Sequence, residues 1–260
     1  MYLKRKLNSI YKKYHKPEYL ELDPLVCVRK FRDTRDIEIA GLLASCLSYG
    51  RVEQIIRSVD SIITIMDNQP YSFCVNTSYK LKKSKFRGFK HRFNTGDDIA
   101  ALLEAAKLAI REQGTLQVLF LSGLQQPNHT FKHAAHNFTQ SLKKYAGKSH
   151  NDSFSYLLPS PMSGSACKRL AMYFRWMVRP DDGIDFGVWK SVSPGILVIP
   201  LDVHVGRVAV ELGMTKRKNL DWKAAEEITS FLRTINPEDP VIYDFSLCRY
   251  GMLRMRKAME

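Results

Sequence analysis

PSPMSGSACKRLAMYFRWMVRPDDGIDFGVWKSVSPGILVIPLDVHVGRVAVE, residues 159–211, decides how the rest of the chain is read. After the turn-forming Pro161, Ser163, Gly164 and Ser165 a helical period sets in. At about 100° per residue, Leu170, Tyr173, Phe174, Met177 and Val178 share one face, and Lys168, Arg175 and Arg179 share the other. The pattern predicts a helix whose apolar stripe meets the core and whose Lys168 points away from it. Free amides in the turn and the dipole of the helix that follows would suit a phosphate oxygen. Downstream, the apolar run 196–201 is closed by Pro200, and Asp202 stands where an N-cap belongs, ahead of Val203, Val205, Val208 and Ala209. Lys168 and Asp202 are thus each placed at the start of a helix.

GSACKRLAMYF followed by IPLDVHVGRVAVELG resembles the hairpin-lysine and catalytic-aspartate segments of the helix-hairpin-helix DNA glycosylases, the superfamily of endonuclease III and 8-oxoguanine glycosylase. The resemblance implies an all-α, two-lobed glycosylase-like fold with a helix-hairpin-helix motif. It makes Lys168 the Schiff-base lysine and Asp202 the catalytic aspartate, with Gly164, Ser165, Ala166, Cys167 and Arg169 against the DNA backbone. Gly164 matches the first hairpin glycine of the family, whereas Ala166 occupies the second. Lys168 and Asp202 lie 34 positions apart, longer than in endonuclease III and closer to the archaeal 8-oxoguanine glycosylases, which implies an inserted loop. The overall pattern also resembles an uncharacterised bacterial family of similar length.

With 260 residues, 45% of them apolar, the chain can bury a sizeable core in a single two-lobed domain. Residues 36–145 are expected to form one lobe. Residues 1–35 and 150–260 would form the other, carrying the hairpin and Asp202, with the loop-like stretch 144–153 as a crossing. The formal net charge of +14 favours a polyanionic partner, nucleic acid or an anionic membrane surface. Five scattered cysteines without a C-x-x-C pair point to neither a disulfide framework nor a zinc site, and so to a reducing, cytoplasmic setting. Only Cys248 lies where endonuclease III carries its iron–sulfur loop, so no iron–sulfur cluster and no other cofactor is expected. No apolar run approaches the ~20 residues of a membrane span. A monomer working on lesion-bearing double-stranded DNA, nucleoid-associated and away from membranes, is the expectation.

Helical periods recur elsewhere. Residues 1–22 read as an amphipathic helix with a cationic face, and 116–124 as a buried helix. Two more helices meet at Ser48-Tyr49-Gly50, and EIAGLLASCLSYGRVEQII resembles the glycosylase helix pair whose loop enters the minor groove. The resemblance puts Leu47 or Tyr49 in the gap left by a flipped nucleotide, with Arg51 beside the DNA. KLKKSKFRGFKHRF, residues 80–93, interleaves cations with Phe, which suits either a nucleic-acid surface or a loop pinned to the core by its rings. His129, His133 and His136 share a helical face but lack a carboxylate or Cys at ligand spacing, so a polar face is preferred and no metal is expected. A helix capped by Asp221 and a last one starting at Asp239-Pro240 complete the series.

In the chemistry the resemblance implies, Lys168 attacks the deoxyribose anomeric carbon. An amine nucleophile needs its pKa brought from about 10.4 toward neutrality, a task given to the hairpin and Arg169. Asp202 stabilises the cationic sugar and takes the amine proton. His204 and Arg207 lie near enough in sequence to touch a phosphate. In the inserted loop, Trp189 would stack on the extruded base and Asp185 would read its edge. Two rival readings remain open at this point: a DNA-structure binder on the same scaffold without chemistry, and an RNA-binding protein using residues 80–93.

Overall fold

A computed structural model of the chain describes residues 2–126, 128–147 and 151–257. Helices account for nearly all of its regular structure, as the periodicity predicts. The chain divides into two compact units, Met1–Glu21 with Ser163–Glu260, and Leu22–Met162. The first unit opens with α1 (Tyr2–Tyr14), which buries Leu7 and Ile10.

The Leu22–Met162 unit contains α2 (Leu25–Val28), α3 (Thr34–Cys46), α4 (Val52–Ile65), α5 (Pro70–Asn76) and α6 (Tyr79–Lys85). A hairpin of β1 (Lys90–His91) and β2 (Asn94–Thr95) follows, then α7 (Gly96–Gln113), α8 (Leu116–Ser122), α9 (Phe131–Ala146) and α10 (Asp152–Leu157). Helix α7 is its centre. It buries Ile99, Leu102, Leu103 and Ile110 together with the alanines 100, 101, 105, 106 and 109, and packs against α5, α6, α8, α9 and α10. A helix apolar around most of its circumference, with Glu104, Lys107 and Arg111 as a polar stripe, is enclosed by its neighbours, and its small side chains let them approach closely. Its start is a capping box between Thr95 and Asp98, and Gly114, at φ 89°, ends it.

The unit boundaries differ from the expected lobes. Residues 25–28 join the unit of α3 and α4 because Leu25, Cys27 and Val28 are buried and α2 packs on both helices. Helix α10 joins it too, since Asn94 Nδ2 donates to Ser153 O at 2.7 Å and Ser153 Oγ donates to Asp98 Oδ1 at 2.7 Å. Part of the expected crossing, residues 148–150, lies outside the described residues.

The other unit continues with α11 (Lys168–Val178), α12 (Val203–Glu211), α13 (Trp222–Arg233) and α14 (Asp244–Lys257). Helix α14 packs on α1 and α12. It begins at Asp244, later than the expected start at Asp239-Pro240, because residues 239–243 form turns that close over α11 through Asp239. A Cβ on Gly251 would stand 2.9 Å from His204 O, so only glycine allows this approach of α12 and α14.

Candidate active site

Two helix starts meet in this unit. Gly164, at φ 83°, and Cys167, at φ 49°, both adopt the left-handed region and bend the chain sharply into α11, whose first residue is Lys168. The turn is tied down from both sides. Ser165 pairs with Asp221 in an isolated bridge, the Trp222 amide donates to Gly164 O at 3.0 Å, and Ser165 Oγ accepts from the Cys167 amide at 3.3 Å. Gly164 and Ser165 are exposed, Ala166 and Arg169 half-buried and Cys167 buried.

Asp202 caps α12. Its Oδ1 accepts from the His204 and Val205 amides, each at 2.9 Å, and this leaves Oδ2 free to face Lys168 Nζ at 2.8 Å. The Lys168 side chain remains 37% exposed and that of Asp202 12%, so the pair is open to solvent on one side. Cys248 of α14 donates its thiol to the same Oδ2 at 3.7 Å. Lys168 and Asp202, 34 positions apart, are thus brought together as expected.

The electrostatics differ from the expectation. Burial draws the Lys168 amine down, but the Asp202 carboxylate and its hydrogen bond outweigh this, and the net pKa lies above the ordinary lysine value. Burial likewise pushes Asp202 up, and the Lys168 ammonium with the Val205 amide holds it below the ordinary carboxylate range. The resting pair is therefore ammonium and carboxylate. Burial, reinforced by Lys168 and Arg207 and opposed by Asp202, lowers His204, whose buried Nδ1 has no hydrogen-bond partner. Arg207 is exposed and donates to Met255 Sδ at 2.9 Å. His204 and Arg207 share a cleft of about 210 Å³ between α12 and α14.

The cationic face expected on α11 is a second correction. Arg175 and Arg179 are buried. Asp185 in the loop after α11 receives both guanidiniums; Arg175 also pairs with Asp244, and Arg179 with Asp182 at 3.0 Å and Asp239 at 2.9 Å. His15, the residue after α1, joins through Asp182 at 2.8 Å. Burial drives the Asp244 carboxyl up to about 6 despite Arg175. Helix α11 thus has no solvent face along most of its length, because the residues that look like a polar stripe are neutralised by acids from distant segments.

Asp185 and Trp189 are consequently not placed to read a base. Asp185 is 0% exposed within that ion-pair network. Trp189 is 2% exposed, its ring 5.5 Å from Tyr173 and 5.7 Å from Phe174, while its amide donates to Met177 O at 2.8 Å. The inserted loop folds back along α11 and seals it.

In the Leu22–Met162 unit, Leu47 is buried and cannot act as a wedge. Tyr49 is half-buried in the α3–α4 turn, where its hydroxyl donates to Asn94 Oδ1 and lies 3.1 Å from His91 O. Arg51 is exposed at the start of α4. Within residues 80–93, Lys82 is buried against Glu104 at 2.6 Å and Phe86 is in the core, whereas Phe93 is exposed. The three histidines serve local structure: His129 Nδ1 bonds Gly123 O, His133 caps Thr130, and His136 Nδ1 bonds Ser160 Oγ. Among the described residues no group of three or more His, Cys, Asp or Glu is placed to hold a metal ion, and no helix is long and apolar enough to cross a membrane. Sequence reasoning missed Cys248 and Asp244. Their i, i+4 spacing on α14 is the signal that would have put both on one face.

No curated protein and no solved structure matches the chain. Residues 23–253 match the family described as "Protein of unknown function (DUF2400)", a span that takes in Lys168, Asp202 and Cys248. The chain belongs to the DUF2400 family.

Proposed function

We propose that the protein is a DNA repair glycosylase with abasic-site lyase activity, excising a damaged base, of which an oxidised purine is the leading class, from double-stranded DNA. The observation that carries this reading is the 2.8 Å contact between Lys168 Nζ and Asp202 Oδ2 at the starts of two helices. The exposed turn at Gly164 and Ser165 supplies a helix N-terminus for a phosphate. The net charge of +14 supplies the general attraction to DNA. Catalysis of this kind requires the target nucleotide to rotate out of the duplex, at a cost on the order of a few kcal/mol that damage reduces.

The charged resting pair suits a particular order of steps. As the glycosidic C–N bond breaks, positive charge builds on the sugar beside Asp202, whose carboxylate is already ionised and held by two amides. The departing base takes its electron pair and a proton from the Lys168 ammonium. The neutral amine then forms a C–N bond to the anomeric carbon; Asp202 takes a proton from the nitrogen of this adduct and returns it to the ring oxygen, whose bond to the anomeric carbon breaks as the sugar opens to a protonated Schiff base. The carboxylate of Asp202, ionised again, takes a proton from the neighbouring sugar carbon, and the electron pair left behind expels the 3′ phosphate and breaks the strand. A raised lysine pKa is compatible with this sequence, since the amine is freed only when the base leaves.

Borohydride reduction on 8-oxoguanine, alkylated and abasic duplexes tests the reading. A covalent protein–DNA adduct is expected, abolished by Lys168→Gln and by Lys168→Arg. Absence of an adduct across the whole panel would sink it.

One observation favours a non-catalytic reading: the raised pKa keeps Lys168 cationic, as phosphate neutralisation needs. Under that reading Lys168→Arg binds DNA as the wild type does, and Lys168→Gln lowers the salt dependence by about one ion. No adduct forms with either.

A further inference from the structure

Three aromatic rings meet on the surface of the Leu22–Met162 unit. Tyr49 and Phe93 stack at 5.4 Å with planes 27° apart. Tyr156 of α10 stands edge-on to both, at 5.0 Å from Tyr49 and 4.5 Å from Phe93. Phe93 is 46% exposed and Tyr156 43%, so two touching rings are presented to water. A loop phenylalanine with freedom to move would fold inward, since burying a ring is worth about 1.5–3 kcal/mol.

These rings lack that freedom. Beneath Phe93, Tyr49 is fixed by its hydroxyl to Asn94 Oδ1 and by its carbonyl to His91 Nε2 at 3.1 Å. His91 Nδ1 bonds Ser58 Oγ at 2.9 Å, and Asn94 Nδ2 donates to both Asp98 Oδ2 and Ser153 O. The hairpin, the α3–α4 turn, α7 and α10 are laced into one support. The platform is rigid and apolar, and it faces outward.

Its surroundings select the occupant. Arg92, next to Phe93 at the hairpin tip, is exposed with φ 56°, and its side chain lies over Gly50, 3.3 Å from where a Cβ would be. Arg51 is exposed one residue beyond Gly50. Lys90 and Thr95 of the same hairpin line a cleft of about 740 Å³ whose other walls carry Lys80, Lys83 and Arg87. The one acid lining it, Asp97, is held by Lys83 at 3.3 Å. Exposed rings beside guanidinium and ammonium groups match a nucleobase on a phosphodiester strand, because the rings stack on any base and the cations follow the backbone. An apolar protein partner would leave these cations uncompensated.

We infer that this surface binds an unpaired nucleobase, stacking it on Phe93 and Tyr156 while Arg92 and the cationic cleft behind the hairpin hold the strand's phosphates. Tyr49, which the resemblance offered as a wedge, is the floor on which Phe93 rests. The inference rests on the nucleic-acid half of the proposed function and not on its chemistry at Lys168.

The test uses the full chain and two fluorescent duplexes, one intact and one with a single unpaired 2-aminopurine. Wild-type protein should quench the 2-aminopurine and prefer the second duplex. Phe93→Ala with Tyr156→Ala should weaken binding to it by about tenfold and change binding to the intact duplex by less than about twofold. Phe93→Leu keeps apolar volume but removes the π face, so it should lose quenching at an unchanged melting temperature. Equal weakening on both duplexes, or quenching that survives in these variants, overturns the inference. Borohydride trapping run alongside separates the two proposals. Adducts without ring dependence overturn only this inference, ring-dependent binding without adducts overturns only the chemistry, and no binding to either duplex overturns both.

Discussion

The Asp202 carboxylate divides its oxygens between two tasks: Oδ1 caps α12, and Oδ2 holds the Lys168 ammonium at 2.8 Å. One residue therefore fixes a helix and positions the lysine. Substitutions can separate the two roles, because asparagine caps a helix nearly as well as aspartate but carries no charge.

Asp202→Asn should keep the cap and lose the pair, whereas Asp202→Ala should cost a further ~1 kcal/mol from the lost cap. The pH dependence has a definite sign. Asp202 titrates below its unfolded value, so its contribution is present above that value, near 3.8, and fades as pH falls through the lowered one. Lys168 titrates above its unfolded value, so its contribution is present below about 10.5 and fades as pH rises through the raised one. Urea midpoints of the wild type and Asp202→Asn should differ most near neutrality and converge toward both extremes. A gap constant from acid to alkali would contradict the ion pair.

Asp244 should oppose stability at neutral pH. Its folded-state carboxyl is raised from 3.8 to about 6, so across that window the folded protein keeps a proton that the unfolded chain releases. Stability conferred by the protonated form is complete below the unfolded value and falls as pH rises to the folded one, by on the order of 3 kcal/mol. Asp244→Asn mimics the protonated acid, so its stability relative to wild type should climb between pH 4 and pH 7. The measurement is urea unfolding of both proteins across that range, and parallel curves would contradict the prediction.

Asp185→Ala should be among the most damaging substitutions in the chain, because it leaves Arg175 and Arg179 buried with less counter-charge. Removing one partner of such a pair costs about 3–5 kcal/mol. Trp189→Ala, which empties the space against Tyr173 and Phe174, should cost a similar ~3–5 kcal/mol. Chemical denaturation reads both. Unchanged midpoints would return these residues to a role in ligand contact.

The five thiols should be slow to react while the protein is folded. Cys27, Cys46, Cys74 and Cys167 are buried, and burial pushes Cys27 and Cys74 up to about 12 and Cys248 higher than its ordinary value. Thiolate is the reactive form, so an aromatic disulfide reagent at pH 8 should modify the native protein slowly and release all five equivalents only on unfolding. Rapid modification of one native thiol would contradict this.

Local chemistry was legible along the chain. The helical periods of residues 36–66, 99–110 and 168–178, the capping residues Asp202 and Asp221, and the break at Tyr49-Gly50 all have the form the sequence predicts. Each depends on neighbours within a turn or two. The Lys168–Asp202 contact was reached through resemblance to a known pattern rather than through spacing, since no periodicity links residues 34 positions apart.

What tertiary structure decided was the meaning of the charges and rings. Arg175, Arg179 and Asp185 look like a polar stripe and an exposed acid in sequence, yet partners from α14 and the 180–200 loop turn them into a buried network. The Asp202 carboxylate, brought up from a distant segment, decided that Lys168 rests as a cation, and burial decided that Trp189 belongs to the core and that Phe93 does not. A sequence specifies which groups can ionise or stack. Whether they do so in water or against one another depends on which distant segments close over them, and solvation energy changes by more than any local preference when they do.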